Sequence, residues 1–316
     1  VKEIIIDANE DGQRLDRFLR KYLEKAPLSF IYKNIRKKNI SVNGKKAKAE
    51  DFLKEGDQIK LFIADETIEK FKKEQKDMTL GDFPNILYED ENLAIINKAA
   101  GILTHSSGDY DRNILDMFIN YLIAKKEFIP RKSRTFRPAI CNRLDRNTSG
   151  LLIGAKNARA LREINKAIKS RDIKKYYLTL VKGRTDEVFS SHSFLLKDEK
   201  KNKVRVDFKS EDAKEAITNF KRISTSGDYS LLEVELITGR THQIRTSLKD
   251  LGFPVIGDRK YGDPKENKKF PLKNQFLHSY KLVLNGFSDD LSYLNGKTFQ
   301  AELPLEFKKV LEDLRL

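Results

Sequence analysis

The stretch Cys141-Asn142-Arg143-Leu144-Asp145-Arg146-Asn147-Thr148-Ser149-Gly150-Leu151-Leu152 runs from an apolar strand into a charged turn and out into a second apolar strand. Asp145 sits in that turn between Arg143 and Arg146, a carboxylate held between two cations. Thr148, Ser149 and Gly150 suit a tight turn in which hydroxyls bond nearby backbone. From spacing alone the simpler reading is a turn carboxylate paired with a neighbour. Cys141 reads as a small core residue on the entering strand.

Around this turn the chain is mostly strand. Strand-like runs fall at 86–88, 93–96, 139–140, 151–154, 176–181, 216–220, 230–236 and 280–284. Helical runs fall at 113–124, 158–169 and 241–251, and a closing helix at 304–316 has Pro at its start. Strands dominate and helices interrupt them irregularly. That order implies an α+β fold, a mixed and largely antiparallel sheet with flanking helices, and not a doubly wound one. A small N-terminal α/β module precedes it.

The module carries the charge. Positions 14–62 hold 14 Lys/Arg against 6 Asp/Glu, more than half of the chain's net charge in about one sixth of its length. Leu15, Phe18, Leu19 and Tyr22 recur at helical spacing, so 13–25 is expected as an amphipathic helix that Pro27 stops. Ser29 is placed to cap a second helix over 30–38, which presents Lys33, Arg36, Lys37 and Lys38. Ile40-Ser41-Val42 reads as a short strand, Asn43-Gly44 as a two-residue hairpin turn, and Lys45, Lys46 and Lys48 follow it. A last strand spans 58–63. Two short helices beside a basic hairpin offer phosphates a helix surface and a lysine-rich turn. The division is therefore 1–63 as a basic module, 64–85 as a charged tether and 86–316 as the main domain, with Glu66, Glu69, Lys70, Lys72, Lys73, Glu74, Lys76 and Asp77 in the tether.

Composition sets the outer limits. A chain of 316 residues corresponds to about two domains. With 39% hydrophobic residues it can bury a sizeable core, and its net charge of +15 favours a polyanionic partner, nucleic acid before an anionic membrane face. A single Cys excludes a disulfide framework within the chain and any Cys-based zinc site. The four His, at 105, 192, 242 and 278, lack close ligand spacing, so no metal is expected. No phosphate loop, G-x-G-x-x-G, G-x-S-x-G or H-E-x-x-H occurs, so no organic cofactor is expected and catalysis is left to carboxylate, Arg, Tyr, His and backbone groups. The longest run free of charged residues is 99–108, half of the roughly 20 residues a spanning helix needs. The opening Val1-Lys2-Glu3 has no apolar signal region, and a cytoplasmic protein, monomeric for want of an exposed apolar stripe, is expected.

The turn resembles the signature H-R-L-D-x-x-T-S-G-L of the RluA/RluC/RluD family of pseudouridine synthases. Arg143, Leu144, Asp145, Thr148, Ser149, Gly150 and Leu151 match, and Asn142 stands where His is common. The other motifs follow in order. Asn97 to His105 resembles K-P-x-G-x-x-x-H with Ala99 in place of Pro, and Lys175 to Gly183 resembles K-x-Y-L-A-L-V-x-G. Gly239 to Arg245 is similar to G-R-T-H-Q-I-R, with Ser247 where a further His is frequent. Gly257 to Gly262 resembles G-D-x-x-Y-G, and Leu277-His278-Ser279 resembles L-H-A. The basic module looks like the alpha-L RNA-binding domain first named from a small-subunit ribosomal protein, its R-L-D-x-F-L opening standing as Arg14 to Leu19.

The resemblance implies isomerisation of uridine to pseudouridine in RNA, most closely the synthases of the large ribosomal subunit, with ribosomal RNA or a pre-ribosomal particle as partner. It assigns the reacting carboxylate to Asp145, as nucleophile or as base toward the ribose; either role needs an ionised carboxylate. Arg245 is implied as its ion-pair partner. Tyr177 would stack on the flipped base, and Arg143 would enter the gap it leaves. Thr148, Arg240, His242 and Gln243 join the RNA contacts, while His105, His242 and His278 organise the site. Phosphates would be met by Lys33, Arg36, Lys37, Lys45 and Lys46, and then by the loops 125–137 and 258–269. The competing reading is a non-catalytic RNA-binding assembly factor that keeps the fold; the intact set of Asp145, Tyr177 and Arg245 favours the enzyme.

Overall fold

A computed structural model of the chain describes residues 1–72, 81–106, 108, 111–130, 133–198, 203–208 and 210–316. The chain opens with β1 (Lys2–Ile5), α1 (Leu15–Tyr22), α2 (Leu28–Arg36), β2 (Ile40–Val42), β3 (Lys45–Lys46), β4 (Gln58–Leu61) and α3 (Asp65–Phe71). There follow β5 (Asn85–Glu89), β6 (Leu93–Lys98), α4 (Ile114–Ala124), β7 (Ala139–Ile140), β8 (Ser149–Ala155), α5 (Ala158–Lys169) and β9 (Lys174–Lys182). The rest is β10 (Val188–Asp198), β11 (Lys203–Val206), β12 (Lys214–Ser226), β13 (Tyr229–Leu236), α6 (Gln243–Asp250), α7 (Pro264–Asn267), β14 (Leu277–Val283), a 3-10 turn (Asp289–Leu294), β15 (Thr298–Gln300) and α8 (Leu305–Leu314). None of the described helices is long and apolar enough to cross a membrane.

Two compact units result. The first comprises Val1–Phe83, Phe118–Ala139 and Ala155–Arg162. Its sheet has the order β1-β4-β2-β3, antiparallel throughout. On α1, Leu15, Phe18, Leu19 and Tyr22 are buried on one face, as their spacing requires. Helix α2 starts at Leu28 and not at Phe30. Pro27 stands at the N-cap with its φ at −61°, and Ser29 falls inside the first turn without capping it. Asn43 and Gly44 both take positive φ, 50° and 74°, the two-residue turn that joins strands of natural twist.

The tether expected at 64–85 is in part a helix. In α3, Ile68 is buried in the same core as α1 and α2, and the Phe71 ring lies 4.8 Å from that of Phe30. Two apolar residues three apart outweigh the charged composition. Lys73, Glu74, Lys76 and Asp77 lie outside the described residues. The unit also reaches further along the chain than the 1–63 module. Buried Glu10 accepts from the Thr135 hydroxyl at 3.0 Å, Arg134 donates to the Ile5 carbonyl, and Asn9 accepts from the Ala158 amide at 3.0 Å.

The second unit comprises Pro84–Met117, Ile140–Gly154 and Glu163–Leu316. Among the described residues its main sheet runs β11-β10-β12-β13-β9-β14-β8-β6-β5, with β15 on β14 and β7 on β8. The pairs from β11 to β14 are antiparallel. Strand β14 is the exception on its other side: it meets β8 in parallel, His278 opposite Ser149 and Ser279 opposite Gly150. Gly150 has a φ of 116°, and a Cβ there would run into the Ser279 backbone, so only glycine admits this approach. The mixed, largely antiparallel sheet expected from the strand-rich pattern is thus present. It puts the turn before β8, the end of β6, strand β9 and helix α6 around one site.

Candidate active site

The Asp145 turn is closed by the Thr148 amide, which donates to the Asp145 carbonyl at 3.1 Å. It is held from outside as well. The Thr104 hydroxyl donates to the Leu144 carbonyl at 2.9 Å, and the Gly101 amide to the Arg146 carbonyl at 2.8 Å. Lys98, fully buried at the end of β6, donates its three ammonium protons to the carbonyls of Ala99, Ile102 and Arg146 at 2.8–3.0 Å. Burial pulls Lys98 down to about 7 while the Asp145 charge opposes it. Three carbonyls that match its three protons further favour the charged form.

Arg245 reaches the turn from α6. Its Nη1 donates to Asp145 Oδ2 at 2.7 Å, and its Nε and Nη2 donate to Asp258 Oδ2 and Oδ1 at 2.7 and 2.9 Å. Burial works against this guanidinium, but its bonds to Asp258 and the charge of Asp145 outweigh that and push it up. Burial likewise works against the Asp258 carboxylate, and Arg245 with the Lys260 and Tyr261 amides holds it below the usual range. The hydrogen bond from Arg245 falls on Asp145 Oδ2, and the Asp145 side chain, 25% exposed, lines the cleft. Gly257, with a φ of 78°, lets the chain before Asp258 approach the Asn274 carbonyl, where a Cβ would sit at 2.5 Å.

His242 precedes α6 in the left-handed region, φ 53°. Its Nδ1 lies 2.9 Å from the Tyr261 hydroxyl, which itself accepts from the Val204 amide at 2.8 Å. An imidazole that accepts from Tyr261 at Nδ1 carries its proton on Nε2, which faces Asp145 Oδ2 at 4.0 Å. Burial takes His242 down to about 4, so it is neutral near pH 7. The cleft in front of Asp145 has a volume of about 370 Å³, and Lys203, Arg259, Lys260 and Lys273 line it with Asp145 and His242. Among the described residues, no group of three or more His, Cys, Asp or Glu side chains is arranged to hold a metal ion.

The residues expected from the sequence therefore separate. Asp145, Arg245 and His242 converge. Tyr177, on β9 opposite Ser279, is only 4% exposed, and burial with the Asp145 charge pushes its hydroxyl up. Its strand lies inside the sheet, between β13 and β14, and the Asp145 charge acts on its hydroxyl. Thr148 and Gln243, expected as RNA contacts, are buried. Thr148 accepts from Gln275, and Gln243 binds Thr238, Thr218, the Ile217 carbonyl and the Arg240 amide. These bonds tie both side chains into the fold. Arg143 and Arg240 are exposed outside the cleft lining, and Arg240 Nε donates to the Glu215 carbonyl at 2.9 Å.

His278 is a core group, bonded to the Ser149 hydroxyl at 2.8 Å, and His105 Nδ1 is buried with no hydrogen-bond partner among the described residues. In the first unit, Lys33, Arg36, Lys37, Lys45 and Lys46 all lie exposed on α2 and the β2–β3 hairpin. In the loop 125–137, Lys125 pairs with Glu127 at 2.8 Å, and Arg131 and Lys132 lie outside the described residues. Sequence reasoning assigned no role to Lys98 or Asp258. The available signal was a carboxylate between the turn glycines Gly257 and Gly262. Lys203 and Lys273 gave no signal.

Comparison with known proteins defines the class first. A solved human structure, RNA pseudouridylate synthase domain containing 4, shares this fold with a TM-score of 0.57 and 23% identity, over 73% of this chain and 93% of that one. The model of the RNA pseudouridylate synthase family matches residues 92–250, and that of the S4 domain matches residues 13–59, the basic module. The chain is 32% identical to ribosomal large subunit pseudouridine synthase D of Borreliella burgdorferi, over 94% of this chain and 88% of the relative. It is 31% identical to ribosomal large subunit pseudouridine synthase C of Escherichia coli strain K12, over 100% of this chain and 97% of the relative. The chain belongs to the RNA pseudouridylate synthase family. Its members are isomerases, and the S4 domain is the RNA-binding module the sequence suggested.

Proposed function

We propose that the chain isomerises particular uridines of large-subunit ribosomal RNA to pseudouridine, with Asp145 as the reacting carboxylate. The observation that carries this reading is a carboxylate tied through one oxygen to Arg245 and lining a cation-rich cleft. The substrate follows from the two relatives, both synthases of the large subunit by name and similar over nearly the whole chain. The uridine leaves its stack and enters the cleft, where the Asp145 carboxylate meets the ribose. The N-glycosidic bond breaks, the uracil turns, and its carbon 5 bonds to the ribose. Lys203, Arg259, Lys260 and Lys273 meet the phosphates beside the flipped nucleotide, and Lys33, Arg36, Lys37, Lys45 and Lys46 grip RNA further away. The protein works as a cytoplasmic monomer with no metal or organic cofactor.

Tritium release from carbon-5-labelled uridine in protein-free large-subunit ribosomal RNA tests this. Release is expected from the wild type, and Asp145→Asn should lower its rate on the order of 10³-fold or more while leaving RNA affinity nearly unchanged. No release from that RNA or from tRNA, with tight binding retained, would favour the assembly-factor reading.

A further inference from the structure

We propose that the pocket between α2 and β3 in the basic module is a base-binding subsite, in which an unpaired nucleotide of the RNA stacks on Tyr32. It rests on the RNA grip proposed for this module and is independent of Asp145.

The pocket is built from both sides of the hairpin. Tyr32, Ile35 and Arg36 fall at helical spacing on one face of α2. The Asn43-Gly44 turn brings Lys46, Ala47 and Lys48 back toward that face, and together they enclose a cavity of about 360 Å³. Ile35 and Ala47 are buried and give the cavity apolar lining. Arg36, Lys46 and Lys48 supply three cations, and Glu50 is the one carboxylate. The segment after β3 is held from α1: the Leu15 and Asp16 amides donate to the Asp51 and Ala49 carbonyls at 2.8 and 3.0 Å. The Lys48 amide donates to Asp51 Oδ2 at 2.7 Å. The cavity is thus preformed.

Tyr32 is the unusual member. A surface tyrosine ordinarily buries its ring and turns its hydroxyl to water. Here the hydroxyl donates inward, to Oδ2 of buried Asp16 at 3.2 Å, while the residue is 44% exposed. Asp16 also accepts from Arg14 Nε and Nη2 at 3.1 and 2.8 Å and from the Arg17 amide at 2.8 Å. The carboxylate is therefore the fixed point, and the ring is what it holds. Tyr22, the other tyrosine of the module, is 9% exposed and stacks on Phe18 with centroids 5.8 Å apart. One ring builds the core and the other is presented at the surface.

These groups select a ligand. Cations alone would serve the backbone of any RNA. A fixed ring beside apolar lining serves what a duplex conceals, the face of a base. Aromatic stacking beside a row of cations is the chemistry of single-strand binding. Glu50 accepts from an N–H on the edge of the stacked base, and Arg36, Lys46 and Lys48 meet the flanking phosphates.

The experiment uses the full chain and two probes. One is a cytidine oligonucleotide of about 12 residues bearing 5-iodocytidine, which offers the cleft no uridine; the other is an RNA duplex of the same length. Irradiation should couple the iodinated base to Tyr32, read from the peptides by mass spectrometry. Tyr32→Leu should weaken the single strand about tenfold or more and leave the duplex within about twofold. No charge is removed, so the salt slope should stay that of wild type. Tyr32→Phe keeps the ring and should bind within about threefold of wild type. A peptide map without Tyr32, or an equal loss on both probes in Tyr32→Leu, would overturn the proposal. The map needs no variant, so it decides even where Tyr32→Leu does not fold. Undiminished single-strand binding by Tyr32→Leu would also overturn it and turn the pocket toward an acidic peptide. Removal of Lys33, Arg36, Lys45 and Lys46 that left binding of both probes unchanged would instead remove the grip beneath it.

Discussion

The cations of the two units are arranged in opposite ways. The two cations that hold the Asp145 turn in place are buried and saturated: Arg245 bridges two carboxylates and Lys98 has a carbonyl for each of its protons. On α2 and the β2–β3 hairpin the cations stand in solvent, and the small apolar core beneath does not involve their charge. Burial makes a charge precise and costly to disturb, because its partner is left unpaired in a poor solvent. Exposure makes a charge adaptable and cheap to remove. One region is built to hold a single geometry, the other to meet a polyanion of varied shape.

The difference gives an ordered set of expectations. Arg245→Met strands the Asp258 carboxylate in the interior, so stability should fall by about 3–5 kcal/mol, read from urea unfolding at neutral pH. Stability within experimental error of wild type would dissolve the contrast. The second effect depends on pH. Burial takes His278 from 6.5 down to about 4, so the unfolded chain binds a proton that the folded chain refuses. Stability should therefore decline as pH falls from about 6.5 to about 4, by on the order of 2–3 kcal/mol from this residue. Unfolding at several pH values should give a flatter curve for His278→Asn than for wild type.

The smallest effect on stability belongs to the other region. Changing Lys33, Arg36, Lys45 and Lys46 together to Ala should leave unfolding within about 0.5 kcal/mol of wild type. The same variant should weaken RNA binding and flatten its salt dependence by about 0.7 in the log–log slope for each phosphate no longer neutralised. A slope equal to that of wild type would remove the hairpin from the RNA grip.

How much of this the sequence reveals depends on whether local pattern and tertiary packing agree. They agree at α5, whose bounds are those its periodicity predicts, and at the Asn43-Gly44 turn. They disagree at β10, which the strand pattern does not reveal. Its buried face carries Ser191, Ser193 and Leu195, while His192 and Phe194 face outward, so its polarity is partly inverted. They disagree again at α3, where a charged composition hides two core residues. For the site, Asp145 and Arg245 are legible because their motifs are. The bidentate bond from Arg245 to Asp258 is not, since nothing in a one-dimensional pattern tells which of two carboxylates an arginine will grip. Thr148 and Gln243 show the reverse: polar residues beside a motif are as readily the bonds that close the fold as the groups that meet a ligand.

The parallel seam between β14 and β8 has a consequence for the order of events during synthesis. Residues 149–150 wait for residues 278–279 before their strand gains this neighbour. The basic module, by contrast, has its four-stranded sheet complete once residue 61 is available. A chain emerging from its N-terminus can thus fold its RNA-binding end while the residues that complete the cleft beside Asp145 are still being made. Contacts so distant in sequence also close slowly. The growing chain is in this sense a binder first and an isomerase last, and the glycine at position 150 is where the second state is sealed.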